Sequence, residues 1–130
     1  MIILDENVNR DTRVQLERWR LKPRQIGRTI GREGMSDTEI VSLLHQLHGT
    51  TFVTWDQGFK KMRLCHARYC LAVFFVPVPD LADWVRRLLT HPEFSTAAKR
   101  MGSVVEVSTS GLVYWRLPQR QMERLPWPSA

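Results

Sequence analysis

The chain has little cysteine, no long apolar run and no internal repeat. Two cysteines in 130 residues, Cys65 and Cys70, cannot make a disulfide framework in a domain of this length. The longest apolar stretch, Leu71 to Val78, is interrupted by Pro77 and is strand-sized, far short of the roughly 20 residues of a membrane span. Met1-Ile2-Ile3-Leu4-Asp5 lacks the basic region and long apolar core of a signal peptide. The expectation is a cytoplasmic protein with reduced thiols and no membrane partner. Acids are also in deficit: 13 Asp and Glu stand against 19 Lys and Arg, a formal charge of +6 with a pI near 10.0. Such a balance favours a polyanionic partner, nucleic acid before anionic membrane, although simple solubility also explains it. The remaining composition, 43% hydrophobic and 25% charged, is that of an ordinary folded domain.

Ile2-Ile3-Leu4 reads as a strand buried on both faces, ending at Asp5-Glu6-Asn7. Asn9 is placed to cap a helix over about residues 10 to 20, and residues 25 to 30 read as a weaker second strand. Gly31 to Gly34 is a turn. Ser36-Asp37-Thr38-Glu39 matches a capping box, and Ile40, Leu43, Leu44 and Leu47 follow at helical spacing, so the pattern predicts a helix over 37–48. Thr51 to Trp55 is strand-like and stops at Asp56, and residues 57 to 68 read as a loop and short helix. Cys70 to Val76 is a further strand, followed by helices over 79–90 and 92–100. Val104 to Val107 and Leu112 to Trp115 flank Thr109-Ser110-Gly111, a hairpin signal. Domain boundaries are set at 1–117, with a loose tail over 118–130. The order of elements is that of an α/β domain with a mainly parallel sheet, in which ligands bind at the carboxyl ends of the strands.

Asp5 and Asp56 each follow a predicted strand directly, and Asp37 opens a helix. In a parallel sheet all three fall on one carboxyl edge. Converging carboxylates raise one another's pKa unless a cation neutralises them, and hard oxygen donors suit Mg²⁺ or Mn²⁺. A metal held there activates water and stabilises a leaving group at phosphorus. Each acid also has a structural reading. Asp37 complements the helix dipole, Glu39 closes the capping box, and Asp56 suits a turn. Glu6 is either an outer acid of the site or a solvated one, and Asn7 a turn or a site residue. Asp5 has the weakest structural excuse. Arg28, Arg32, Lys60, Lys61 and Arg63 flank the edge in sequence, as RNA-binding cations or as a solvated face. Zinc at His45, His48, Cys65 and Cys70 is disfavoured by the loose cysteine spacing. Trp84 and Trp115 belong to the core, and regular pleating turns Trp55 away from Asp56.

Ile3-Leu4-Asp5-Glu6-Asn7, Gly34-Met35-Ser36-Asp37-Thr38-Glu39-Ile40 and Phe52-Val53-Thr54-Trp55-Asp56-Gln57-Gly58-Phe59, in that order and with the closing hairpin, resemble the PIN-like family. The resemblance is especially to the branch related to the toxins of VapBC-type toxin–antitoxin pairs. The resemblance implies a three-layer α/β/α fold with a mainly parallel central sheet and a C-terminal hairpin. It implies a Mg²⁺- or Mn²⁺-dependent endoribonuclease restrained by a cognate antitoxin, and a homodimer. Asp5, Asp37 and Asp56 would be its catalytic, metal-binding acids, with Thr54 and Asn7 in support. Related sequences often carry another acid two residues after the third-block Asp. Here that place is Gly58, which leaves a weaker site, a single metal, or Glu6 or Glu39 as stand-in.

Two other functions compete. A non-catalytic PIN-like module that binds nucleic acid or regulates is favoured by Gly58. A receiver-like phosphoacceptor domain is favoured by acids after the first and third strands, and weakened because Asp5 lacks an adjacent Asp and no Lys follows a later strand as expected.

Overall fold

The computed structural model describes residues 1–60, 64–119 and 121–128. Its centre is a seven-stranded sheet in the order β2-β1-β3-β4-β5-β6-β7. The strands are β1 (Ile2–Leu4), β2 (Arg24–Gln25), β3 (Thr50–Thr54), β4 (Tyr69–Phe75), β5 (Ser103–Ser108), β6 (Gly111–Arg116) and β7 (Met122–Leu125). β2, β1, β3, β4 and β5 run parallel, and β6 and β7 close the sheet antiparallel. The chain moves from β1 to one side to make β2 and to the other to make β3, so the strand order reverses at β1. That is where crevices open at the carboxyl edge of such sheets.

Helices lie on both faces, an arrangement compatible with a three-layer α/β/α fold. Helices α1 (Arg10–Arg18) and α3 (Leu81–Thr90) bury Leu16, Leu81, Val85 and Leu88 against Leu4, Val53, Ala72 and Val105 on one face. Helix α2 (Asp37–Gln46) buries Ile40 and Leu44 against Ile3, Phe52, Leu71 and Val73 on the other. Each β4 side chain from Tyr69 to Phe74 is buried, because helices or turns cover both sides of the strand. α2 starts as expected: the Ser36 hydroxyl accepts from the Glu39 N–H, and the Glu39 carboxylate accepts from the Ser36 N–H.

Several sequence expectations need correction. The second strand is only Arg24–Gln25, since the Gln25 carbonyl accepts from the N–H groups of Arg28, Thr29 and Ile30 and turns the chain. Asn9 occupies the N-cap of α1 without a side-chain cap, its oxygen accepting instead from the Thr12 hydroxyl. The helix expected over 92–100 shrinks to α4 (Ala97–Arg100), capped by Thr96. The segment from Pro118 is not loose throughout. Its residues 122–125 form β7, and Trp127 Nε1 donates to the Ser108 carbonyl at 2.8 Å. Three of the four β7 side chains are exposed, so backbone pairing rather than an apolar pattern holds this strand. Among the described residues no helix is long and apolar enough to cross a membrane.

Candidate functional site

Parallel pairing fixes the acids in space. β1 and β3 pair in register, Leu4 beside Val53, and the Asp5 N–H continues the ladder to the Val53 carbonyl at 2.9 Å. Asp5 is therefore held at the carboxyl edge with 7% of its surface exposed. Pleating points Asp5 and Thr54 to the face that Ile3 and Phe52 share with α2. Thr54 Oγ1 donates to Asp5 Oδ2 at 2.6 Å and accepts from the Asp56 N–H at 3.0 Å. One hydroxyl thus spends its donor on the first acid and an acceptor on the loop that carries the third.

The Asp5 carboxyl is pushed above its ordinary value. Burial is the main cause, and the charges of Asp56 and Glu6 add to it, against the Thr54 hydroxyl and the Glu6 N–H, which favour the carboxylate. Asp56 lies at the exposed end of β3, its Oδ1 accepting from the Gly58 N–H at 2.9 Å. Asp37 sits in the first turn of α2, across the edge. Gly58 lies between them: a Cβ built there would stand 3.2 Å from Asp56 Oδ1 and 3.5 Å from Asp37 Oδ2. Both carboxyl oxygens therefore border the same small space, and a side chain on residue 58 would enter it. Among the described residues, no three His, Cys, Asp or Glu side chains stand close enough together to hold a metal ion.

The other expected residues divide. Glu6 Oε1 accepts from the Gly34 N–H at 3.0 Å, tying the turn before α2 to the end of β1; Gly34 needs its φ of +74° for this turn. Glu39 is engaged twice, in the capping box and with Arg32. Asn7 is exposed in the turn after β1. Arg28 is exposed, whereas Lys60 pairs with Glu106 at 3.7 Å. Lys61 and Arg63 lie outside the described residues. Trp55 packs on the opposite core from Asp5 and Thr54, as pleating requires. Cys70 and Cys65 belong to cores on opposite faces of the sheet, and burial pushes the Cys70 thiol up to about 12.

Sequence reading missed Gln25. Its buried Nε2 donates to the carbonyls of Asp5, Glu6 and Val8 at 3.1, 3.3 and 2.8 Å. This one amide sets the path of the turn that presents Asp5 and Glu6. A glutamine in a short edge strand carries no signal for such a role. Also unforeseen is a groove of about 740 Å³ that runs beside α2 from Asp37 and Gly58 to His45 and Gln46, with Phe59 and Leu64 in its wall.

Comparisons with protein-family models, curated proteins and solved structures give no match for this chain.

Proposed function

We propose that this chain is a Mg²⁺- or Mn²⁺-dependent endoribonuclease of PIN-like type, the toxin of a toxin–antitoxin pair. The observation that carries the reading is the Asp5–Thr54–Asp56 arrangement at the reversal of strand order, with Asp37 facing Asp56 across Gly58. The donors fit a hard divalent cation: they are carboxylate oxygens, and the ionised form of Asp5, disfavoured by burial and by neighbouring negative charge, is the form a cation stabilises. Asp5, Asp37 and Asp56 would hold the ion. Bound there, the metal supplies an activated water and charge stabilisation at phosphorus. The chain's own part is to fix Asp5 through Thr54 and Gln25, to keep its carboxylate aimed at the edge, and to offer cationic surface to the RNA backbone. The antitoxin and the homodimer rest on the motif resemblance.

A second reading, a non-catalytic PIN-like module that binds nucleic acid, is favoured by glycine at position 58. Labelled RNA incubated with the pure protein in Mg²⁺, Mn²⁺ or EDTA separates the two. The nuclease gives metal-dependent cleavage that Asp5→Asn and Asp56→Asn each abolish. RNA binding without cleavage supports the module, and cleavage that survives both substitutions removes the site. A receiver domain, which shares the 2-1-3-4-5 strand order, would instead label at Asp56 with acetyl phosphate.

A further inference from the structure

β4 ends on an anomaly. Tyr69 to Phe74 are buried, yet the last residue, Phe75, is 67% exposed, and Val78 beyond it is 48% exposed. Burying a phenylalanine stabilises a fold by about 1.5–3 kcal/mol, so packing does not account for an aromatic ring in water at the end of a central strand. The ring lines a cleft of about 650 Å³ at the carboxyl edge, together with Trp55 and Gln57 from the turn after β3 and Ser108 to Ser110 at the end of β5.

We propose that this cleft is a subsite for one unpaired nucleobase of the RNA, stacked on Phe75. The proposal rests on the ribonuclease reading and names the form of its substrate, a single strand.

Three observations commit the cleft to a base. The first is position. Thr54, the last residue of β3, pairs with Val73 of β4, so Asp56, in the turn after β3, and Phe75, the last residue of β4, each lie two residues beyond the same rung at the carboxyl edge. Phe75 also follows Leu71 and Val73 in the alternation, on the face of Asp5 and Thr54. The second is continuity, since Trp55 and Gln57, which line the cleft, are the two neighbours of Asp56 in the chain. A phosphate drawn to a cation at the carboxylates would therefore bring the adjoining base to the cleft. The third is chemistry. An aromatic face with hydroxyls and an amide at the rim matches a base, which has a π-face and hydrogen-bonding edges. A duplex keeps its bases stacked inside and cannot offer one to this ring.

The test uses the full chain in EDTA and a fluorescein-labelled, single-stranded oligoribonucleotide of mixed sequence, with Phe75→Ala and Phe75→Trp beside wild type. Phe75→Ala is expected to weaken binding about ten-fold, within the range that base–aromatic stacking spans, while Phe75→Trp retains it. In Mn²⁺, Phe75→Ala should raise KM by a similar factor with kcat nearly unchanged. A duplex of the same sequence should bind without regard to residue 75. Unchanged single-strand affinity in Phe75→Ala overturns the proposal, as does the absence of any RNA binding by wild type. So does a variant that binds RNA normally but sediments as a smaller species, because the patch would then be a protein contact. Phe75-dependent binding with no cleavage in any metal keeps the subsite and removes the nuclease.

Discussion

At the scale of single residues, Asp5 is the buried acid of the carboxyl edge. Its carboxyl is held above the ordinary value of about 3.9 by burial first, then by the Asp56 and Glu6 charges. A raised carboxyl binds its proton more tightly in the folded state, so its contribution to stability falls as pH rises from the ordinary value through the raised one, and stays lost above it. Thermal unfolding in EDTA across that window should show wild type losing stability relative to Asp5→Asn. Added Mn²⁺ should restore wild type and leave the variant unmoved; parallel pH profiles for the two proteins would remove Asp5 as the strained group. Gly58 is the complementary case. Gly58→Asp places a carboxylate beside Asp37 and Asp56 and is expected to tighten Mn²⁺ binding on the order of ten-fold, as an added charged ligand does. Gly58→Ala adds the crowding at Asp56 Oδ1 without the charge. If calorimetry shows the two variants alike, the space between the acids is not a metal position.

Elements place these residues, and here the last strand matters more than its sequence advertises. β7 covers the edge of β6, with Leu125 opposite Leu112 and Met122 opposite Trp115. Trp127 then anchors the chain, donating to the Ser108 carbonyl and packing on Trp84 with ring centroids 5.3 Å apart. Trp127→Ala removes a half-buried ring and leaves a carbonyl without its donor, a loss of ~2 kcal/mol, seen as a fall of several degrees in Tm. Truncation after Leu117 should cost more and promote aggregation, because it bares the β6 edge. Light scattering during the melt reads that difference. The strands at the site are legible for the opposite reason: β1 and most of β4 are buried on both faces and read as apolar runs, and β3, Thr-Thr-Phe-Val-Thr, announces itself by β-branched and aromatic composition. β2 stops short of the strand that the sequence pattern predicts over 25–30 because the Gln25 carbonyl turns the chain, which periodicity does not register.

For the whole molecule, the +6 charge acts with the geometry of the edge. RNA affinity should fall with salt, with a log–log slope of about −0.7 for each phosphate contacted on a single strand. Arg28→Glu, at an exposed position, should flatten that slope by about one contact; Arg124→Glu, also exposed but on β7, should leave it near the wild-type value. Equal slopes for the three proteins would assign the charge to solubility. The sequence by itself determined the α/β class, the capping box, and the local placement of Asp5 and Asp56, because hydrophobic runs and capping chemistry act over a few residues. Only the tertiary structure decided that strand order reverses at the edge these acids share and that Thr54 joins two of them. It alone showed that Gln25 holds the turn presenting Asp5 and that Gly58 stands between Asp37 and Asp56. Those relations depend on which strands lie side by side and in what register, and neighbours 49 residues apart, such as Asp5 and Thr54, leave no periodic trace in the chain.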